Sequence, residues 1–248
     1  MSVLPERKIV AIQYWNGDRE DALRLSRYMT DIEPAFNPDV DLVFMARSDA
    51  ELPDKAHLLR AARKFNVKTV KAPHAGVGHP HGCWVLWYSL LEWLLKRQEA
   101  GEFSAKWMAT LESDGVPLTR DWIKELDREW DSGRDIRIMG ANPTEGVSHI
   151  NGNLLVSGKL DFLKWLVRDV AIETVPDIEG WDTFLFPQFL RWGCLVTERM
   201  LSAYRTPGVG QGAYEHYLKQ GYVFVHGVKD DSLLRQARRH LLGSAIQT

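Results

Sequence analysis

Two carboxylates one residue apart, Glu112 and Asp114, follow directly on the apolar run Trp107 to Leu111 (WMATL). Such a run reads as a buried strand, and both acids then reach a single crevice at its end. Hard divalent cations such as Mg²⁺ or Mn²⁺ prefer oxygen ligands of this kind and keep water or phosphate in the rest of their shell. A cation held there clamps a diphosphate and neutralises charge on it as it becomes a leaving group. A plainer role is open to the same residues, because Asp114 or Thr119 would cap a helix beginning near Trp122. A second group lies near the end of the chain. Tyr222 to Val225 is a short apolar strand, and a strand end is where a ligand-facing residue emerges. His226 can offer an imidazole nitrogen to Mn²⁺, and Lys229 can supply a point charge to a phosphate. A surface turn capped by Asp230 or Asp231 accounts for the segment equally well.

These residues need a scaffold, and the pattern along the chain supplies one. Lys8 to Trp15 is apolar and β-branched, and ends in the polar turn Asn16-Gly17-Asp18. Asp18 then suits the cap of a helix carrying Ala22, Leu25, Tyr28 and Met29 at helical spacing. Further strands are expected at 41–46, 67–70, 107–111 and 136–139, with helices at 56–65, from Pro80 onward, and at 117–130. Strand and helix thus alternate to about residue 140, which predicts an α/β fold with a mainly parallel sheet. From Asn142 to Gly227 the chain turns to glycines, aromatics and short elements. No repeat or linker marks a boundary, so one domain spans residues 1–248, with a terminal helix at 233–248. In such folds the residues after the strands face the ligand. Here those are 15–18, 72–82, 112–114 and 141–142.

Composition narrows the classes. A chain of 248 residues with 45 % apolar and 26 % charged residues can bury a sizeable core. The net charge of −2 brings no basic field for nucleic acid. Arg235, Arg238, Arg239 and His240 form the one basic cluster, and a solvated helix face explains it. The longest apolar stretch, Trp84 to Leu95, is interrupted by Ser89 and Glu92 and is too short to span a bilayer. Nothing at the N-terminus resembles a signal peptide, and only Cys83 and Cys194 are present, which favours a reducing cytoplasm. His74, His79 and His81 fall within eight residues, but no Cys or acid nearby completes a tetrahedral zinc set. A Gly/Pro/His loop over a diphosphate, with Gly78 at its turn, accounts for them. Trp84 and Trp87 recur at helical spacing and belong to the core. Phosphate-loop, nucleophile-elbow and dinucleotide fingerprints are all missing from the sequence.

Strand, Glu112-Ser113-Asp114, turn and helix together resemble the Asp-x-Asp region of glycosyltransferases with the GT-A fold. Other segments follow in the same order. Gln13, Tyr14, Trp15 and Asp18 stand where that family holds the nucleotide, and Gly78 to Gly82 stands where donor-side glycine turns occur. His149-Ile150-Asn151-Gly152-Asn153 resembles the segment returning to the sugar, and His226 with Lys229 is similar to the late His and Lys of glycogenin-type members. The resemblance runs from about residue 8 to 232. It departs in having Glu first in the acid pair and a shorter C-terminal spacing.

The resemblance implies a GT-A transferase using Mn²⁺ or Mg²⁺ and a nucleotide-diphosphate sugar, of UDP or GDP type. The nucleotide-sugar half would lie at about 8–140 and the acceptor half at about 141–232. Asp114 and His226 would hold the metal, with Glu112 supporting ribose or a metal-bound water and Lys229 the β-phosphate. His149, Asn151, Asn153 and Trp181 would meet the sugars. Asp182, ahead of an apolar helix, would be the base that deprotonates the acceptor hydroxyl, although a simple helix cap fits it as well. Trp181 suits stacking on a sugar or packing in the core. The acceptor expected is a saccharide hydroxyl, with modified DNA bases, as in phage-type enzymes, as the alternative. A sugar nucleotidyltransferase and a non-catalytic nucleotide-sugar-binding module are the competing functions.

Overall fold

The apolar residues of Glu6–Tyr14 (β1) alternate between two interiors, as a strand buried on both faces must. Val10, Ile12 and Tyr14 join one core cluster, while Ile9 and Ala11 join the other. Asn37–Ala46 (β2) and Ser104–Leu111 (β4) divide in the same way. Between these strands run the helices Arg19–Ile32 (α1), Lys55–Ala61 (α2) and His81–Glu99 (α3), with Phe65–Lys71 as strand β3. The first four strands pair in parallel in the order β3-β2-β1-β4. The computed structural model describes residues 4–73, 78, 81–141, 149–170 and 180–243, without the side chains of 204 and 205. His74, His79, Pro80, Asn142 and Glu179 lie outside the described residues.

The second half completes the sheet and adds another. Ile138–Gly140 (β6), Leu154–Ser157 (β7) and Cys194–Val196 (β8) extend it to seven strands, β3-β2-β1-β4-β7-β6-β8, with β7 antiparallel to both neighbours. Val116–Pro117 (β5), Met200–Thr206 (β9) and Phe224–Val228 (β10) form a three-stranded sheet beside it. The remaining described helices are Trp122–Ser132 (α4), Leu160–Asp169 (α5), Trp181–Trp192 (α6), Ala213–Lys219 (α7) and Ser232–Leu242 (α8). Residues of α1, α4 and α8 pack on one face of the large sheet, and those of α3, α5 and α6 on the other. Trp84, Trp87, Trp107 and Trp122 are fully buried. No described helix is long and apolar enough to cross a membrane.

Several boundaries differ from the sequence expectation, each for a local reason. Helix α2 stops at Ala61, and Phe65 opens β3. The helix expected from Pro117 starts at Trp122, because Pro117 is paired antiparallel with Phe224. The strand expected at 222–225 is shifted to Phe224–Val228, so His226 sits inside β10 rather than beyond it. Asp18 precedes α1 without capping it; its carboxylate accepts the Trp15 N–H at 2.8 Å. Two basic residues of α8 face acids, Arg235 on Asp231 at 2.5 Å and Arg238 on Asp31 at 3.3 Å.

Gly158, just past β7, marks where two backbones come closest. A Cβ there would lie 2.1 Å from the Ala105 carbonyl oxygen, whereas one at Gly210 would meet nothing within 4 Å. Gly158→Ala should therefore lose about 1–3 kcal/mol of stability to overpacking. Urea unfolding measures it with Gly210→Ala as the neutral reference, and equal midpoints for the two variants would contradict the close approach.

Candidate active site

Register brings three chain exits to one edge of the large sheet. Tyr14 pairs with Ala46, and Ile12 with Leu111, so β1, β2 and β4 end together at Trp15, Arg47 and Glu112. This is the carboxyl edge where open α/β sheets take their ligands. The Glu112 N–H donates to Asn153 Oδ1 at 2.8 Å, and the chain then turns back through a Gly115 N–H to Glu112 carbonyl bond of 3.1 Å. Gly115 is required by contact, since a Cβ there would meet the Phe224 ring at 2.6 Å. The acid turn is thus seated on β10.

That seat delivers His226. The register of β10 against β9 slips between His226 and Val228, with Gly227 at φ +97°, a bulge of the kind that re-aims a neighbouring side chain. His226 Nε2 lies 2.8 Å from Glu112 Oε2 and 3.0 Å from Asp114 Oδ1. Lys229 Nζ reaches Asp114 Oδ2 at 2.5 Å. Neither acid caps a helix, so that alternative for Asp114 is set aside; α4 begins after Asp121. Burial alone would lower the His226 pKa, but the Glu112 and Asp114 carboxylates raise it to about 9. Burial alone would raise Asp114, yet the His226 and Lys229 cations hold it well below the usual carboxylate range. Ligand atoms of Glu112, Asp114 and His226 all lie within 4.8 Å of one another. Two carboxylates and an imidazole converging this closely fit a borderline or hard divalent cation.

A second group stands beside the first. Asp182 accepts the Gly152 N–H at Oδ2 and the Thr183 N–H at Oδ1, each at 3.0 Å, and His149 Nε2 is 3.7 Å away. Its pKa is raised, chiefly by burial, with the Glu112 carboxylate adding to the shift. It lies inside the first turn of α6 rather than at the cap, which is Gly180. Gly152 joins the groups: a Cβ on it would stand 3.3 Å from Trp181, 3.5 Å from Glu112 and 3.8 Å from Asp182.

The remaining expected residues divide between the cleft and its walls. Asp18 Oδ2 accepts the Ser113 hydroxyl at 3.2 Å, and burial pushes its pKa up to about 6. Trp15 is 47 % exposed, packed over Gly17, with the Arg47 guanidinium 5.1 Å from its ring. Gln13 Nε2 is buried without a described partner. Gly78 takes φ +76° and its carbonyl accepts the Gly82 N–H at the entry to α3. Tyr14, expected near the nucleotide, is instead buried with its hydroxyl on the Glu51 carbonyl. Trp181 is 5 % exposed and stacks on Trp87 at 4.2 Å, which places it in the core rather than against a sugar face. Asn151 and Asn153 are buried too; Asn151 Oδ1 accepts both Asn153 donors, and Asn153 in turn holds Glu112. Their contacts are with the site's own frame. Sequence reasoning overlooked Arg47, although its place directly after the buried strand β2 was the signal. Cys83, near the start of α3 among Glu112, Asp182 and Asp18, was also passed over; burial lifts its thiol to about 12.

A cavity of about 380 Å³ opens on this group, lined by Ser113, Asp114, Lys229, Asp230, Asp21 and Arg24. A wider depression of about 740 Å³ lies between α1 and α2, beside Arg60, Arg63 and Lys64. Lys64 accepts the Asn37 N–H where β2 begins, so that depression is at the opposite edge of the sheet from the acids. It gathers no convergent acids and is not the site.

The architecture matches solved glycosyltransferases. Mouse xyloside xylosyltransferase 1 superposes with a TM-score of 0.52 at 12 % identity, over 90 % of this chain and 97 % of that one. The galactosyltransferase LgtC, crystallised with donor and acceptor sugar analogues, gives 0.53 at 12 % over 97 % of each chain. The fold is GT-A. Glycosyltransferase GlyE of Streptococcus pneumoniae TIGR4 gives 0.56 at 11 % identity over 92 % of this chain, which spans 56 % of GlyE. No protein-family model matches the sequence, and no curated protein sequence matches it. At these identities the likeness is one of fold, and the GT-A frame sets the acid pair at the edge where β1, β2 and β4 end.

The site makes a separable demand on Asp114. Asparagine there keeps the size of the side chain but removes the charge facing His226 and Lys229. Asp114→Asn should weaken Mn²⁺ binding at least about tenfold while the protein still folds, because the ion loses an anionic oxygen ligand. Paramagnetic resonance of free Mn²⁺ reads the affinity, and an unchanged titration would remove Asp114 as a ligand.

Proposed function

We propose that this chain is a metal-dependent glycosyltransferase moving a sugar from a nucleotide diphosphate to a saccharide hydroxyl. The observation that carries it is the convergence of Glu112, Asp114 and His226 beside Asp182, at the ligand edge of a GT-A sheet. Asp114 and His226 would hold Mn²⁺ or Mg²⁺, with Glu112 reaching the ion or the ribose. A bound divalent ion supplies charge neutralisation to the diphosphate as it departs. Trp15, Arg47 and Asp18 border the place for the nucleoside, and Lys229 faces the cavity for the phosphates. The bare Gly152 lets Glu112 and Asp182 approach each other across it, since a Cβ there would touch both.

Asp182 is the base in this scheme. Its raised pKa makes it a stronger proton acceptor than an exposed carboxylate. The acceptor oxygen bonds to the anomeric carbon as the bond from that carbon to the β-phosphate oxygen breaks. The hydroxyl proton passes to Asp182, and the nucleotide diphosphate leaves. Two N–H donors hold the carboxylate in place, and His149 stands ready beside the proton it gains. Modified DNA as acceptor gains no support: of the α8 cations, Arg235 and Arg238 are paired with Asp231 and Asp31.

Adding Mn²⁺ and a panel of nucleotide sugars should release nucleotide from the wild-type protein, by transfer or slow hydrolysis. Binding without any release would instead identify a non-catalytic module. Asp182→Asn should depress transfer by roughly 10²- to 10⁴-fold while donor affinity holds. Product NMR gives the decisive check on its role, since a base at Asp182 requires inversion at the anomeric carbon. Retention would overturn that assignment whatever the variant does.

A further inference from the structure

Both oxygens of Asp114 are already held by cations of the chain itself. His226 Nε2 stands 3.0 Å from Oδ1, and Lys229 Nζ stands 2.5 Å from Oδ2. The two partners differ in how they can yield to a metal. His226 sits inside β10 with Nε2 already turned to both acids, so it can ligate from where it stands. Lys229 keeps its charge, cannot ligate, and occupies the approach to Asp114. Its side chain is half exposed and lines the cavity, while its backbone N–H is fixed to the Thr206 carbonyl at 2.8 Å. The side chain alone can therefore swing. We infer that Lys229 is a resident counter-ion which a divalent cation must displace from Asp114, and that displacement frees its ammonium for the donor diphosphate.

This rests on the metal-dependent reading and specifies how metal and donor are coupled. Without metal, the Lys229–Asp114 pair keeps the acid turn neutralised and the ammonium withheld from phosphate. With metal alone, breaking that pair opposes binding. With metal and diphosphate together, the ammonium regains an anion of higher charge. Metal and donor thus bind more tightly together than either binds alone, a coupling that must be reciprocal.

The consequence has an unusual sign. Lys229→Met keeps the length of the side chain and removes its charge, so it should bind Mn²⁺ alone about three- to tenfold more tightly than wild type, the range for a partly exposed ion pair. In saturating Mn²⁺ the same variant should bind UDP or GDP at least about tenfold more weakly. Lys229→Arg keeps a competing charge and should stay near the wild-type affinity for Mn²⁺ alone. Mn²⁺ affinity that is unchanged or weaker in Lys229→Met would overturn the inference, as would a gain in Lys229→Arg equal to that in Lys229→Met. If neither wild type nor Lys229→Met takes up Mn²⁺, the metal-dependent reading itself fails and the inference with it.

Discussion

Two like charges at the end of one buried strand are unstable together unless an opposite charge comes to them, and that requirement organises this molecule. Burying carboxylates is costly, and pairing them with a well-placed cation offsets the cost. The cation that meets both acids is the His226 imidazole, 114 positions from Glu112 along the chain and carried on a separate sheet, with Lys229 paired to Asp114 beside it. Its delivery depends on Phe224, which pairs with Pro117, packs beside Trp122 and forms the floor beneath Gly115. The bulge at Gly227 then re-aims the strand at the acids. The small three-stranded sheet is thereby tied to the acid turn of the large one.

A second junction ties the acid turn to Asp182. Residues 151–153 run between them, buried, with every polar side chain occupied. Asn153 grips the Glu112 peptide, Asn151 grips Asn153, and the bare Gly152 offers its N–H to Asp182. Thr110 adds a hydroxyl bond to the Gly152 carbonyl at 2.6 Å. The segment that resembles a sugar-contacting stretch in sequence thus also acts as a rigid strut. The missing side chain at 152 is what lets Trp181, Glu112 and Asp182 all come within contact distance of it.

Much of the frame was legible because its signals are local. The strands β1, β2 and β4 announce themselves by apolar alternation, and Glu112 and Asp114 by following one of them. The two-residue β5 and three-residue β8 carry no such signal, since their pairing with residues far along the chain is what defines them. Trp181 illustrates a true ambiguity: an aromatic before a helix reads alike as a sugar platform or as core, and only its stack on Trp87 decides. Tyr14 was misplaced because strand alternation points it inward, to the Glu51 carbonyl, while Trp15 turns outward. The work of Asn153 depends on an acceptor role 41 positions away, which spacing cannot reveal.

The most direct measurement is anomalous diffraction at the manganese edge from crystals soaked in Mn²⁺ and a nucleotide diphosphate. One strong peak is expected in bonding contact with an Asp114 carboxylate oxygen and His226 Nε2, with phosphate oxygens completing the shell. Nucleotide bound in the cleft with no manganese peak there, and His226 still hydrogen-bonded to Glu112 and in ion-pair contact with Asp114, would contradict a metal-dependent transferase site.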